Sequence, residues 1–311
     1  MLTQITLTII ISLILSISAK KTTNEGEEFL TWLKSEGVDV SGFRIGRFRG
    51  ERGVKATRTF EPGEIVAEIP SHLVISEEVA REGLMNLTNS LDHVKLFEKN
   101  GRKIEDMLEK ISPCDLVTLY LAASSRHVAA SRFRAYLDVL PKNPNVPLFM
   151  SIDEIVKTAR HSESIYRILE DGFRTFEKKL GMYRDLYMDM FDVTREEYEQ
   201  DFKWAYAMLL SRAWRFTKES STSPQCYMLP LVDMLNHAEN QGEPVALDSG
   251  IGVMLKKRVR SGEQLYQDYH ITSRCNTESF FLYVVENFLR TLNSVLEQTQ
   301  TQIRLCRAGE S

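Results

Sequence analysis

Pro230-Leu231-Val232-Asp233-Met234-Leu235-Asn236-His237 opens apolar and turns polar, so that an acid, an amide and an imidazole fall between positions 233 and 237. Polar groups buried in such a segment cost free energy unless they are paired. The cluster therefore serves a specific internal purpose, which is to hold a ligand, to hold two chain segments together, or both.

Around this stretch the chain has β texture. Val245-Ala246-Leu247 and Gly252-Val253-Met254-Leu255 read as strands, and Val259-Arg260-Ser261-Gly262-Glu263-Gln264-Leu265-Tyr266 reads as a turn feeding another. That unit echoes Phe60-Glu61-Pro62-Gly63-Glu64, where Pro and Gly stand as a β-turn requires, followed by a strand over Ile65–Pro70. Upstream, Gly50-Glu51-Arg52-Gly53-Val54-Lys55-Ala56-Thr57 is a glycine turn running into a strand. The plain reading is paired strands with exposed turns. The functional one is a loop where missing side chains let backbone approach a ligand.

The remainder is helical by period. Phe29, Leu30 and Leu33 share one face of a short helix over Glu27–Glu36 that Gly37 ends. From Ser76 to Ser211 helices dominate. One starts at Ser112-Pro113, an N-cap and first-turn pair, and an apolar stripe through Phe133, Tyr136, Leu137 and Leu140 stops at Pro141. Helices are then expected over Ile152–Arg160, Ile165–Phe176, Tyr183–Met190 and Glu196–Trp214. Arg212, at the end of the last, caps carbonyls or serves a site. A final amphipathic helix is expected over Glu278–Gln298.

With 311 residues, 43% hydrophobic and 26% charged, the chain is long enough for a large core. The net charge of -4 and the lack of a basic run argue against direct nucleic-acid binding. Cys114, Cys226, Cys275 and Cys306 form no C-x-x-C pair, which argues against a zinc site; their even number permits disulfides without requiring them. Leu2–Ala19 is uncharged, mostly apolar, and ends in small residues before Lys20-Lys21. It reads as a secretory signal peptide; an uncleaved membrane anchor or a gene-model artefact are the alternatives, and a membrane partner is expected only with the anchor. Asn86-Leu87-Thr88 is a glycosylation sequon if the chain enters the secretory path.

The separated pieces together resemble the SET-domain protein methyltransferases, within them the group of RuBisCO large-subunit methyltransferase and the actin-histidine methyltransferase. The resemblance is carried by Gly53-Val54-Lys55-Ala56-Thr57, Phe133–Pro141, Trp204-Ala205, Ser211-Arg212, Pro230–His237, Gly262–Tyr266 and Asn276-Thr277-Glu278, in family order. It implies an α+β SET fold of short strands with a knot-like Asn-His segment, a large helical insertion and a C-terminal helix. The implied organisation is a leader over 1–19, SET halves over 27–75 and 212–276, the insertion over 76–211, and at 277–311 a helix and tail that are a truncated form of the family's substrate-binding region. It also implies S-adenosyl-L-methionine as cofactor and a protein substrate, methylated on a lysine or histidine nitrogen.

By the same resemblance Asn236 and His237 grip the cofactor's amino-acid and adenine ends, Arg212 faces its carboxylate, and Gly53 and Lys55 line it. Asp233 braces the motif, and Tyr269 orients the acceptor nitrogen beside the methyl-transfer channel. A lysine in a desolvated channel loses its proton more readily, so no dedicated base is named. The chain departs from the family at His270, where glycine usually follows the tyrosine, in a longer spacing from Tyr269 to Asn276, and at Lys55, where arginine is common. These departures feed a second hypothesis, a SET-like interaction module without turnover.

Overall fold

The computed structural model describes residues 26–48, 51–89, 104–144, 146–151, 153–155, 163–216 and 225–269. The leader, His270, Asn276, Cys275, Cys306, the helix expected over Glu278–Gln298 and most of that expected over Ile152–Arg160 lie outside the described residues. In chain order the elements are α1 (26–35), β1 (Phe43–Phe48), β2 (Glu51–Ala56), β3 (Ile65–Pro70), α2 (Glu77–Asn89), α3 (Ile104–Leu108) and α4 (Pro113–Arg126). They continue with α5 (Arg134–Val139), α6 (Glu163–Phe191), α7 (Arg195–Arg212), β4 (Trp214–Phe216), β5 (Gln225–Tyr227), β6 (Asn236–His237), β7 (Gly242–Leu247), β8 (Gly250–Leu255) and β9 (Gln264–Gln267). They form two compact units.

The first unit holds the chain up to Val74, Ser131–Leu140 and Leu229–Tyr269. One of its sheets has the order β1-β2-β9-β6, antiparallel except for the parallel pair β6 and β9. Val54 pairs with Leu265 and both are buried, so alternation places Gly53, Lys55 and Gln264 on the other face. The second sheet has the order β3-β8-β7. Ser131–Leu140 belongs here rather than with the helical insertion because its aromatic side chains pack on α1. Phe133 lies 6.1 Å from Trp32, and Tyr136 lies 6.1 Å from Phe29, ring centre to ring centre.

The echoed turns are mates in space. Phe60 and Val259 exchange backbone hydrogen bonds of 2.8 and 3.0 Å. Gly63 (φ +89°) and Gly262 (φ +94°) take the left-handed conformation that each turn needs. Beside them Glu64 accepts from the Glu61 N–H and Glu263 from the Arg260 N–H, each at 2.7 Å. Gly63 N–H and the Glu64 carbonyl bond to Leu255, while Gly262 N–H and the Glu263 carbonyl bond to Ala56. Each turn is thus tied to the strand leading into the other, an approximate internal two-fold.

The second unit holds α2, α3, α4, α6 and α7 with the β4–β5 hairpin. Ser112 caps α4 by accepting from the Asp115 N–H at 3.3 Å, and Pro113 occupies the first turn, as the residues there predict. Asp115 is itself buried, and takes bonds from Ser112 Oγ and Tyr183 Oη (2.7 Å each) and from Lys179. Burial first, and the Asp115 carboxylate second, push the Tyr183 phenol well above its ordinary pKa. Arg126 at the far end of α4 pairs with Asp201 and Glu197 of α7 at 2.5 and 2.9 Å. Burial nevertheless raises the Asp201 carboxyl above the usual range. A disulfide joins Cys114 of α4 to Cys226 of β5, across a sequence separation of 112.

Two expectations change here. Ile165–Phe176 and Tyr183–Met190 are parts of a single helix, because the buried stripe Leu169, Phe176, Tyr183, Tyr187 and Met190 keeps its period across Gly181. Glycine costs only about 1 kcal/mol in a helix interior, which this packing outweighs. The last helix, opened by a capping box of Thr194 and Glu197, stops at Arg212, and Trp214 instead starts β4 opposite Tyr227.

Candidate functional site

Pro230–His237 leaves the core through a strained bend. Leu231 is fully buried with φ 75° and ψ -48°, a conformation that L residues rarely take and that only surrounding structure holds in place. A single 3₁₀ turn, Val232–Met234, follows, closed by Met234 N–H to Leu231 O and Leu235 N–H to Val232 O at 3.1 Å each. The next residues enter the sheet as β6, with Asn236 beside Tyr266 and His237 beside Gln267.

Several side chains fasten this exit. The Tyr136 hydroxyl gives a 2.8 Å hydrogen bond to the Asp233 carboxylate, both groups being buried. Asp233 therefore braces the turn from inside the unit. Gln267 Nε2 donates to the Val232 carbonyl at 3.2 Å. Asn236 Nδ2 donates to the Arg52 carbonyl at 3.1 Å, tying the motif to the strand that carries Gly53. Tyr136→Phe is expected to leave the fold intact but lower its stability by about 1–3 kcal/mol, the usual cost of stranding a buried polar partner. Urea denaturation measures this, and an unchanged midpoint would remove Tyr136 from the brace.

Tyr269 closes the group. Its backbone N–H donates to His237 Nδ1 at 3.2 Å, which makes Nδ1 the acceptor and puts the proton of neutral His237 on Nε2. The two rings lie 5.1 Å apart. The Tyr269 hydroxyl donates to the Leu235 carbonyl at 3.0 Å, so the phenol is held by the same segment that presents Asn236 and His237.

The missing side chain at Gly53 leaves room that two carboxamides fill, so a larger residue there would push them aside. A Cβ there would stand 2.3 Å from Gln264 Nε2 and 3.1 Å from Asn236 Nδ2. Carboxamides thus gather over bare backbone, which gives this face of the sheet hydrogen-bond donors beside a main chain without a side chain. Lys55 is exposed on the same strand, and its Cε passes 4.0 Å from where a Cβ on Gly262 would sit. Arg212 is half-buried at the C-terminal end of α7, in the second unit. The first unit therefore brings together Gly53, Lys55, Asp233, Asn236, His237 and Tyr269. The roles of Tyr136, Gln264 and Gln267 are additions from the structure. Their only signal in the sequence is position within or next to the stretches Phe133–Pro141 and Gly262–Tyr266.

Comparison with known proteins identifies the family. The family profile described as SET domain matches residues 51–270. The actin-histidine N-methyltransferase of Homo sapiens is 23% identical over 260 residues, covering 81% of this chain and 40% of that protein. The actin-histidine N-methyltransferase of Gallus gallus is 23% identical over 259 residues, with the same 81% and 40% coverage. The chain thus spans about two fifths of the length of these relatives. Among solved structures, the SET domain of LSMT bound to lysine and AdoHcy matches with a TM-score of 0.60 at 17% identity, covering 83% of this chain and 56% of that one. Rubisco LSMT bound to AdoMet matches with a TM-score of 0.58 at 18% identity, covering 83% and 55%. The profile takes in β2 to β9, the helices among them and the Asn236–His237 exit, and the chain belongs to the SET-domain family.

Proposed function

We propose that this chain is an S-adenosyl-L-methionine-dependent protein N-methyltransferase, acting on a lysine or histidine side chain of a protein substrate. The observation that carries the reading is the joining of the Asn236 and Gln264 carboxamides, the bare Gly53 backbone, and the anchored Tyr269 hydroxyl in one compact unit. Relatives named for actin-histidine methylation, and similar folds solved with AdoMet or with lysine and AdoHcy, support it.

The residues present fit such a cofactor. Clustered amide donors and an open backbone suit a ligand rich in acceptor oxygens and nitrogens. When bound, S-adenosylmethionine supplies an electrophilic methyl on a sulfonium. The chain's part is to hold and orient. Asn236 and His237 bind, Gly53 leaves room, and Asp233 with Tyr136 fixes the turn. Tyr269 directs its hydroxyl toward the acceptor nitrogen, so that the nucleophile arrives in line with water excluded.

Calorimetric titration with S-adenosylmethionine, followed by transfer of labelled methyl into a proteome lacking this protein, tests the reading. Binding followed by label on a lysine or histidine supports it. Absence of binding to folded protein overturns it, and binding with no transfer favours the interaction module. Tyr269→Phe is expected to bind the cofactor like wild type yet to slow single-turnover transfer about tenfold, a barrier increase of ~1.4 kcal/mol. An unchanged rate would take the hydroxyl out of the chemistry.

A further inference from the structure

The side chain of Gln264 has a position in the site but no part in the hydrogen bonds that build it. The residue opens β9, directly across from Lys55, and is 8% exposed. Its Nε2 is buried and has no hydrogen-bond partner among the described residues. A buried donor left in that state costs about 1–3 kcal/mol, so the position is poorly explained by stability alone. The nitrogen lies over Gly53, where a Cβ would stand 2.3 Å from it and 3.1 Å from Asn236 Nδ2.

Two primary amides therefore present N–H groups over the same backbone atom. Asn236 spends one on the Arg52 carbonyl. The group that completes such an arrangement accepts hydrogen bonds and gives none. Among the polar groups of S-adenosylmethionine, the ammonium only donates, while the ribose hydroxyls and the adenine edge both donate and accept. The carboxylate, the ribose ring oxygen and the adenine ring nitrogens are acceptor-only; of these the carboxylate alone is charged and offers two oxygens to two donors, and hydrogen bonds to it are the strong, charge-assisted kind.

We propose that Gln264 is a cofactor-contacting residue that gives its Nε2–H to the carboxylate of the cofactor's amino-acid tail, beside Asn236. This rests on the methyltransferase reading above. It makes Gln264 a determinant of tail recognition, separate from any role in the transfer step.

The test compares wild type with Gln264→Leu and Gln264→Met in two measurements. The first is melting of the ligand-free protein. Because Nε2 has no protein partner among the described residues, both variants are expected to melt at or above the wild-type temperature. The second is competitive titration with S-adenosylmethionine and with its decarboxylated form, which lacks only the carboxylate. Wild type is expected to prefer the carboxylated ligand, and the variants are expected to lose about tenfold of that preference. Their affinity for the decarboxylated ligand should stay at the wild-type value. An unchanged preference ratio, or equal loss of both ligands, overturns the assignment while leaving the cofactor reading intact. A melting temperature lowered by several degrees in both variants gives Gln264 to the fold and overturns it too. Folded wild type that binds neither ligand sinks the methyltransferase reading itself, a result that does not depend on the variants.

Discussion

Breaking the Cys114–Cys226 disulfide is expected to cost about 4–5 kcal/mol of stability. The bond spans a sequence separation of 112, and its main effect is to deny the unfolded chain the conformations in which these ends separate. It joins the first turn of α4, whose length is buried almost throughout, to β5, the outgoing strand of the β4–β5 hairpin. A double Cys114→Ala, Cys226→Ala variant should therefore show a markedly lower urea midpoint than oxidised wild type. Adding reductant should bring wild type down to the variant and leave the variant unmoved. Identical midpoints for oxidised wild type and variant would refute the expectation. The same arithmetic links stability to redox surroundings, since glutathione keeps such bonds open in reducing compartments.

Asn236→Ala is expected to weaken S-adenosylmethionine binding about 100-fold, the upper range for a hydrogen bond to a charged group. The residue makes one structural bond and one proposed ligand contact; the substitution removes both, and their losses are read by different measurements. Losing the 3.1 Å bond to the Arg52 carbonyl should cost only about 1 kcal/mol of stability, so the variant stays folded. Losing the amide beside Gly53 removes a donor from the proposed cofactor face. Calorimetry on protein shown to be folded by circular dichroism checks both parts. Wild-type affinity in that variant would refute the site.

The contrast between what local sequence announces and what it leaves silent is physical. The Ser112-Pro113 cap, the strand at Ile65–Pro70 and the paired turns at Gly63 and Gly262 are decided by neighbours a few positions away, and they stand where the sequence predicts. The polar cluster of Asp233–His237 is visible for the same reason. The partner of Asp233 lies 97 positions upstream, and the carbonyl that Asn236 engages lies 184 upstream. Nothing in a short window encodes such pairings. The single helix across Gly181 escapes notice because tertiary packing overrides a local penalty, and the disulfide escapes because an even number of cysteines carries no geometry. Placing 131–140 among the helices of the insertion follows its period correctly, but the period does not say that Phe133 and Tyr136 pack on α1.

The reciprocal turns carry a consequence for how the protein is made. Ala56 waits for Gly262 and Glu263, and Leu255 takes its partners from Gly63 and Glu64. Neither half of the two-fold can finish its own hydrogen bonds. As the chain leaves the ribosome, the early half emerges with an unfilled edge and stays so while the helices between are synthesised. Loops of this length close late, because long-range pairing repays its entropy only at the end. The proposed ligand face, which needs Arg52, Gly53, Asn236 and Gln264 at once, is then assembled among the last features, so that any binding it supports waits for completed translation.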